Sequence, residues 1–265
     1  MKHGIFLFPF FLAAIFMSSC HHRPTMREMG IVLDTIQAES SSPLLDSLAT
    51  PNCHVDINMI VFSNKEYSPL NDSLLRSGIL SPEYLSLSTK HIPPRAAVDS
   101  FIKRYEADYH TFYRGIFTEE GDSAQASIGY KLSTTIEEGK DSVLNYRAFI
   151  TFRQGTVETS YTHCKNIDMG KLRILSLDDI FVHGYEKALS EVILNRLLKQ
   201  SANKSLEDLH QAGFFINSEV YPTSNFILGE KAITFVYVAG EIADRSKGEI
   251  QVEIKNSDIK RLFVR

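Results

Sequence analysis

The sequence predicts an α+β fold: an antiparallel sheet meander with packed helices, in two halves able to share one sheet. Three observations carry this. Residues 53–62, 142–153 and 249–255 alternate apolar and polar side chains, the period of a strand with one buried face. Val98, Phe101, Ile102, Tyr105, Tyr109 and Phe112 fall at three- and four-residue steps, as do Leu189, Val192, Ile193, Leu197 and Leu198; this is the spacing of helices with one apolar side. The turn signals Glu138-Gly139-Lys140-Asp141 and Gln154-Gly155 separate their strands so closely that the strands must run antiparallel.

In chain order, the first strand with a clear period lies at 53–62, with Val55, Ile57, Met59 and Val61 on one face. A short helix follows over 70–80 and ends near Gly78 and Pro82. Residues 81–94 read as loop, and a longer helix begins after Pro93-Pro94 and ends at Gly115. Strands at 123–136, 142–153 and 156–167 form the meander. Then come helices at 185–201 and from Ser205 to Gly213, the latter with Ser205 as cap. The closing stretch holds strands at 232–238 and 249–255 around a polar connection from Gly240 to Gly248, and a last short helix on Ile259, Leu262 and Phe263.

The N-terminus is a different object. Lys2 and His3 precede an uncharged apolar run from Ile5 to Met17, then Ser18-Ser19-Cys20. The run is short for a bilayer span and has the order of a signal peptide. Small residues directly before a Cys resemble a bacterial lipoprotein signal, which makes Cys20 the lipidated first residue of the mature chain. Residues 1–19 are then signal peptide and 20–50 a Ser/Thr/Pro-rich tether, with an edge strand available at 31–36. The membrane is a partner through that lipid. The residues after Cys20 are not acidic, unlike a surface-export signal, so the expected location is the bacterial cell envelope, at the periplasm-facing outer membrane.

An exported chain meets an oxidising compartment. With Cys20 lipidated, Cys53 and Cys164 remain as a pair. Bridged, they would close a loop of about 110 residues, worth on the order of 4 kcal/mol; the alternative is two separate buried thiols. Each has a histidine neighbour (Cys53-His54 and His163-Cys164), but adjacent strand residues point to opposite faces and cannot share one zinc ion.

Several motifs resemble the RsiV-like envelope proteins. Ile233-Thr234-Phe235-Val236-Tyr237, Glu241-Ile242-Ala243, Gly248-Glu249-Ile250-Gln251-Val252-Glu253-Ile254 and Ser257-Asp258-Ile259-Lys260 follow that family's C-terminal domain. Asn166-Ile167-Asp168-Met169-Gly170-Lys171 and Leu175-Ser176-Leu177-Asp178-Asp179-Ile180-Phe181 resemble its junction motifs. The resemblance implies an N-terminal partner domain over 51–168 and an RsiV-like C-terminal domain over 169–265. It departs at Asp244-Arg245, where the family has Pro-Tyr, and at the 154–158 turn, where a family histidine is missing. The RsiV ectodomain binds lysozyme, so the resemblance implies a binding module whose ligand is a protein, lysozyme-like among others, or the cell wall.

The remaining residues point the same way. A net charge of -4 and a pI near 6.1 leave no basic footprint for nucleic acid. No His-Glu-x-x-His, Gly-x-Ser-x-Gly, phosphate loop or Cys-x-x-Cys occurs, so neither a catalytic residue nor a metal ligand nor a cofactor is assigned. Two functions from different classes follow. One is a lipid-anchored, non-enzymatic binding module, with Glu241, Asp244, Arg245 and Lys247 as the candidate binding loop. The other is a peptidoglycan or glycan hydrolase built from dispersed carboxylates such as Asp178, Asp179 and Glu241. The aromatic helix face (Phe101, Tyr105, Tyr109, Phe112) reads as core in preference to a sugar platform.

Overall fold

The computed structural model describes residues 25–45, 51–80, 92–115, 125–202, 204–216 and 218–264. Cys20 and the signal segment, His91 and most of the 81–94 loop lie outside these residues. The α+β expectation holds: a six-stranded, mostly antiparallel sheet, a second three-stranded sheet and a few helices.

The first sheet has the order β1-β2-β3-β4-β5-β6, with β1 Leu33–Pro43, β2 Asn52–Phe62, β3 Ile128–Glu138, β4 Val143–Gln154, β5 Val157–Asp168 and β6 Arg173–Leu175. β1 falls inside the stretch read as tether; it pairs with β2 along its whole length and buries Ile36. β2 and β3 are parallel, so the sheet is not a pure meander. Their connection carries α1 (Ser68–Leu74), a π-helical turn over Leu75–Ile79, and α2 (Pro94–Tyr113), as a parallel crossover requires. Both helices lie on one face. Val98, Phe101 and Tyr109 join Val55, Ile57, Tyr130, Leu132 and Ile150 in the first core. Full burial of each such side chain stabilises the fold by about 1.5–3 kcal/mol.

β7 (Phe226–Leu228), β8 (Ala232–Tyr237) and β9 (Ile250–Lys255) form the second sheet. The second half therefore has a sheet of its own and shares the first one only through β6. α3 (Leu177–Ile180), α4 (Glu186–Gln200) and α5 (Leu206–Gln211) belong to this half, and Leu189, Ile193 and Leu197 of α4 join Phe235, Val252 and Ile254 in a second core. The last short helix is not formed. Residues 256–262 are successive turns, with Leu262 N–H donating to the Ile259 carbonyl at 2.9 Å, and Phe263 leaves them to bridge and stack on Phe181.

Asparagine side chains join the sheets. Asn166 on β5 is 1% exposed. Its Nδ2 donates to the Phe226 carbonyl at 2.9 Å and its Oδ1 accepts from Leu228 N–H at 2.7 Å, so its amide stands in for a peptide group beside β7. Asn225 does the converse: its Oδ1 accepts from Cys164 N–H at 2.7 Å and its Nδ2 donates to the Thr162 and Val236 carbonyls at 2.8 and 2.9 Å. Asn71 closes the end of β2 in the same way on Phe62.

Of the two readings of the cysteine pair, the structure has the unbridged one. Cys53 and Cys164 are separate buried thiols. Two strands lie between β2 and β5, a gap of roughly 14 Å at sheet spacing, against under about 7 Å between the Cα atoms of a bridge. Cys53 also faces α2, near Glu106 and Tyr109, while Cys164 lies on the other face near Arg147 and Glu249.

Asn166→Ala should lower unfolding free energy by about 2–4 kcal/mol, because it orphans one buried donor and one buried acceptor. Urea denaturation followed by circular dichroism measures this; a loss under 1 kcal/mol would show that the amide is not a joint.

Candidate functional site

β5 is where the surface opens. Its even-numbered residues turn their backbone N–H and C=O away from β4, because Gln154 and Val157 close a two-residue hairpin. Along this outer edge, Asn166 and Asp168 meet β6, and Cys164 and Thr162 meet Asn225. Thr162 N–H also donates to Glu249 Oε2 at 3.2 Å. Beyond that point the edge faces a groove of about 710 Å³, whose far wall is the 239–249 loop with Ala239, Arg245, Ser246, Gly248 and Glu249. Phe149, 42% exposed, and Val157, 65% exposed, line it. A second groove of about 460 Å³ adjoins it across Val157, Thr159 and Arg245 and runs along α2 beside Tyr105, Tyr109 and Phe112.

The candidate binding loop proves to be a built element, and its four residues do different things. Glu241 is structural: it accepts from Val238 N–H at 2.9 Å and from the Tyr221 hydroxyl at 2.9 Å. Burial, then that carboxylate, push the Tyr221 hydroxyl up to about 12. Asp244 caps a 3-10 turn over Arg245–Lys247 by accepting from Ser246 N–H at 2.9 Å and Ser246 Oγ at 2.6 Å, and those bonds hold its carboxyl below the usual range. Lys247 sits over the Phe214 ring at 5.2 Å. Arg245 alone turns into both grooves, and among the described residues no carboxylate or carbonyl pairs with its guanidinium. Its stem lies across Gly240, where a Cβ would stand 2.7 Å from Arg245 Cγ.

The dispersed carboxylates do not converge. Asp178 accepts from the Tyr185 hydroxyl at 3.1 Å. Asp179 completes a capping box with Ser176 and pairs with Arg173 at 2.7 Å; partial burial opposes ionisation, but the Ser176 and Arg173 bonds hold the carboxyl low. No contact brings Glu241 to either. Cys53 and Cys164 are each pushed up to about 12 by burial and stay protonated, hence unreactive, at neutral pH. Ser42 Oγ lies 2.8 Å from His110 Nε2, but His110 Nδ1 is buried without a partner, so no third group sets the tautomer as a nucleophile–base pair needs. Among the described residues no three His, Cys, Asp or Glu cluster as metal ligands. On the aromatic helix face, Phe101 and Tyr109 are core, whereas Phe112 is 62% exposed in the second groove. The open edge itself escaped sequence reading; only the Gln154-Gly155 turn, which fixes strand parity, pointed to it.

Comparison with known proteins follows the second half. The family described as "Protein of unknown function (DUF3298)" matches residues 178–257. That segment is a DUF3298 domain. It holds α3 through β9, and so both the groove's far wall and Asn225. A DUF3298 family member from Bacteroides fragilis superposes with a TM-score of 0.78 at 22% identity, covering 89% of this chain and 94% of that one. Another from Pseudomonas aeruginosa gives 0.60 at 16% identity, covering 88% and 94%. At these identities the likeness is one of fold. No curated protein matches the chain.

Gly240→Ala should destabilise the fold by about 1–2 kcal/mol, since Gly240 has φ +88° and the added methyl would drive Arg245 from its place. A thermal melt checks the first effect. Altered solvent accessibility of Arg245 in chemical modification checks the second.

Proposed function

We propose that this protein is a lipid-anchored cell-envelope binding module, holding a protein or cell-wall ligand in the groove between β5 and the 239–249 loop. The observation that carries the reading is the groove's make-up. Exposed apolar side chains stand beside a guanidinium unpaired among the described residues, while nearby Glu241 is committed to Val238 and Tyr221 and Asp244 to Ser246. Concave apolar surface with one oriented polar group is what a binding site needs; it is not enough for bond cleavage.

The lipoprotein-like segment ending at Cys20 supports an anchor in the outer membrane, facing the periplasm. Among the described residues no helix is long and apolar enough to cross a membrane. Cys20→Ser should therefore move the protein from the membrane to the soluble fraction and abolish fatty-acid labelling. Continued fractionation with membranes would contradict the anchor.

The RsiV-like motifs make lysozyme the first protein to test. Calorimetry of the fragment beginning at residue 21 should show lysozyme binding at roughly 10–50 μM, weakened at least tenfold by Arg245→Ala. Absence of heat in that range removes lysozyme as ligand. Retention on purified sacculi then decides whether a cell-wall ligand takes its place.

A further inference from the structure

The outer edge of β5 is a hydrogen-bond ladder that is filled from one end only. β6 takes the groups of Asn166 and Asp168. The Asn225 amide and the Glu249 carboxylate take the N–H and C=O of Thr162 and the N–H of Cys164. By the period of two, the next outward groups belong to Ser160 and Glu158, and no described residue bonds them. These two residues line the groove directly. An edge of this kind is a template for another strand, and native folds normally blunt or cover it. Here it is flanked on one face by exposed Phe149, and at its turn end by exposed Val157 with Arg245 beside it.

We propose that the β5 edge at Glu158 and Ser160 accepts an extended peptide as an added strand, with an acidic side chain of that peptide paired to Arg245. The proposal rests on the binding-module reading and names the class of partner. Main-chain bonds to Ser160 and Glu158 supply register. Alternate peptide side chains then fall on opposite faces of the sheet: apolar ones beside Phe149, and a carboxylate on the side of Val157 and Thr159, where Arg245 reaches the second groove. Arg245 is already oriented, because its stem is laid across Gly240, so little ordering is left for binding to cost.

The test uses the full chain in detergent micelles and the probe acetyl-Val-Glu-Val-Glu-Val-amide. Added at about 1 mM, the probe should slow amide exchange at Glu158 and Ser160 while leaving Thr162 and Cys164, already bonded, unchanged. N-methylating one alternate set of its amides should abolish binding, and methylating the other set should leave it intact. Arg245→Gln should weaken binding by roughly tenfold. Ser160→Pro, which removes an outward N–H without touching the β4 ladder, should eliminate it. If that variant does not fold, the methylated probes give the same information. No binding, binding blind to the methylation pattern, or binding without protection at Glu158 and Ser160 overturns the proposal. So does protection present without probe and lost on dilution, which would assign the edge to a second copy of the chain. Retention of lysozyme or sacculi with no probe binding would sink strand addition alone; loss of all three would sink the binding module itself.

Discussion

The structure depends on how the outer edge of β5 is satisfied. A strand in the middle of a fold must place every N–H and C=O, and β5 has a full-length partner on only one side. Where β6 ends, the Asn225 amide and the Glu249 carboxylate serve the other side, and the Asn166 side chain ties β5 to β7. Asn166 reaches out to β7, and Asn225 reaches back to Thr162 and Cys164 while holding β8. An amide side chain offers an N–H donor and a carbonyl acceptor in the spacing of a peptide group, with a second N–H that Asn225 uses to hold β8, so each acts as a one-residue strand. This splices two sheets without merging them. It also leaves the splice, and the loop of the DUF3298 domain behind it, standing over the stretch of β5 that no described residue serves.

The residues that carried the family resemblance prove to be joints in this arrangement. In Asn166-Ile167-Asp168-Met169-Gly170-Lys171, the asparagine is the splice, and Asp168 Oδ1 accepts from Gly170 and Lys171 N–H at 2.9 and 3.0 Å to fix the turn into β6. In Gly248-Glu249-Ile250, the glycine takes φ +71° so that Glu249 can meet Thr162 as β9 begins. Leu175, Leu177 and Phe181 are buried, and Asp179 caps α3 between them. Their chemistry is that of holding two sheets together. In the proposed binding module, recognition falls to side chains with no such duty, of which Arg245, Val157 and Phe149 are the clearest.

Strands and helices with one apolar face were legible because burial imposes a period on them; β2, β4, β5, β9, α2 and α4 all lie within a few residues of their expected places. What failed was long-range. The parallel pairing of β2 with β3 leaves no local mark, since a crossover of many residues reads the same whichever way the next strand docks. Asn166 and Asn225 read as weak strand formers, and only the partner strand reveals them as connectors. Cys53 and Cys164 make a pair by arithmetic, but strand order places them apart. Ile259, Leu262 and Phe263 have helical spacing, yet three-residue turns satisfy the same spacing and let Phe263 stack on Phe181. The loop from Gly240 to Gly248 was legible as a connection and as the place to look. That Arg245 has no hydrogen-bond or ion-pair partner among the described residues, while Glu241 and Asp244 are bonded, was not.

Native-state hydrogen exchange on the free protein, read residue by residue, tests the central claim most directly. If the asparagines splice the sheets into one unit, the amides of β8 from Ile233 to Val236 and those at the centre of β4 open with the same free energy, while Glu158 and Ser160 exchange nearly as fast as unprotected amides. If β8 opens at a distinctly lower free energy than β4, or if protection runs evenly along β5 from Glu158 to Cys164, the two sheets are not joined as described and the edge is not open.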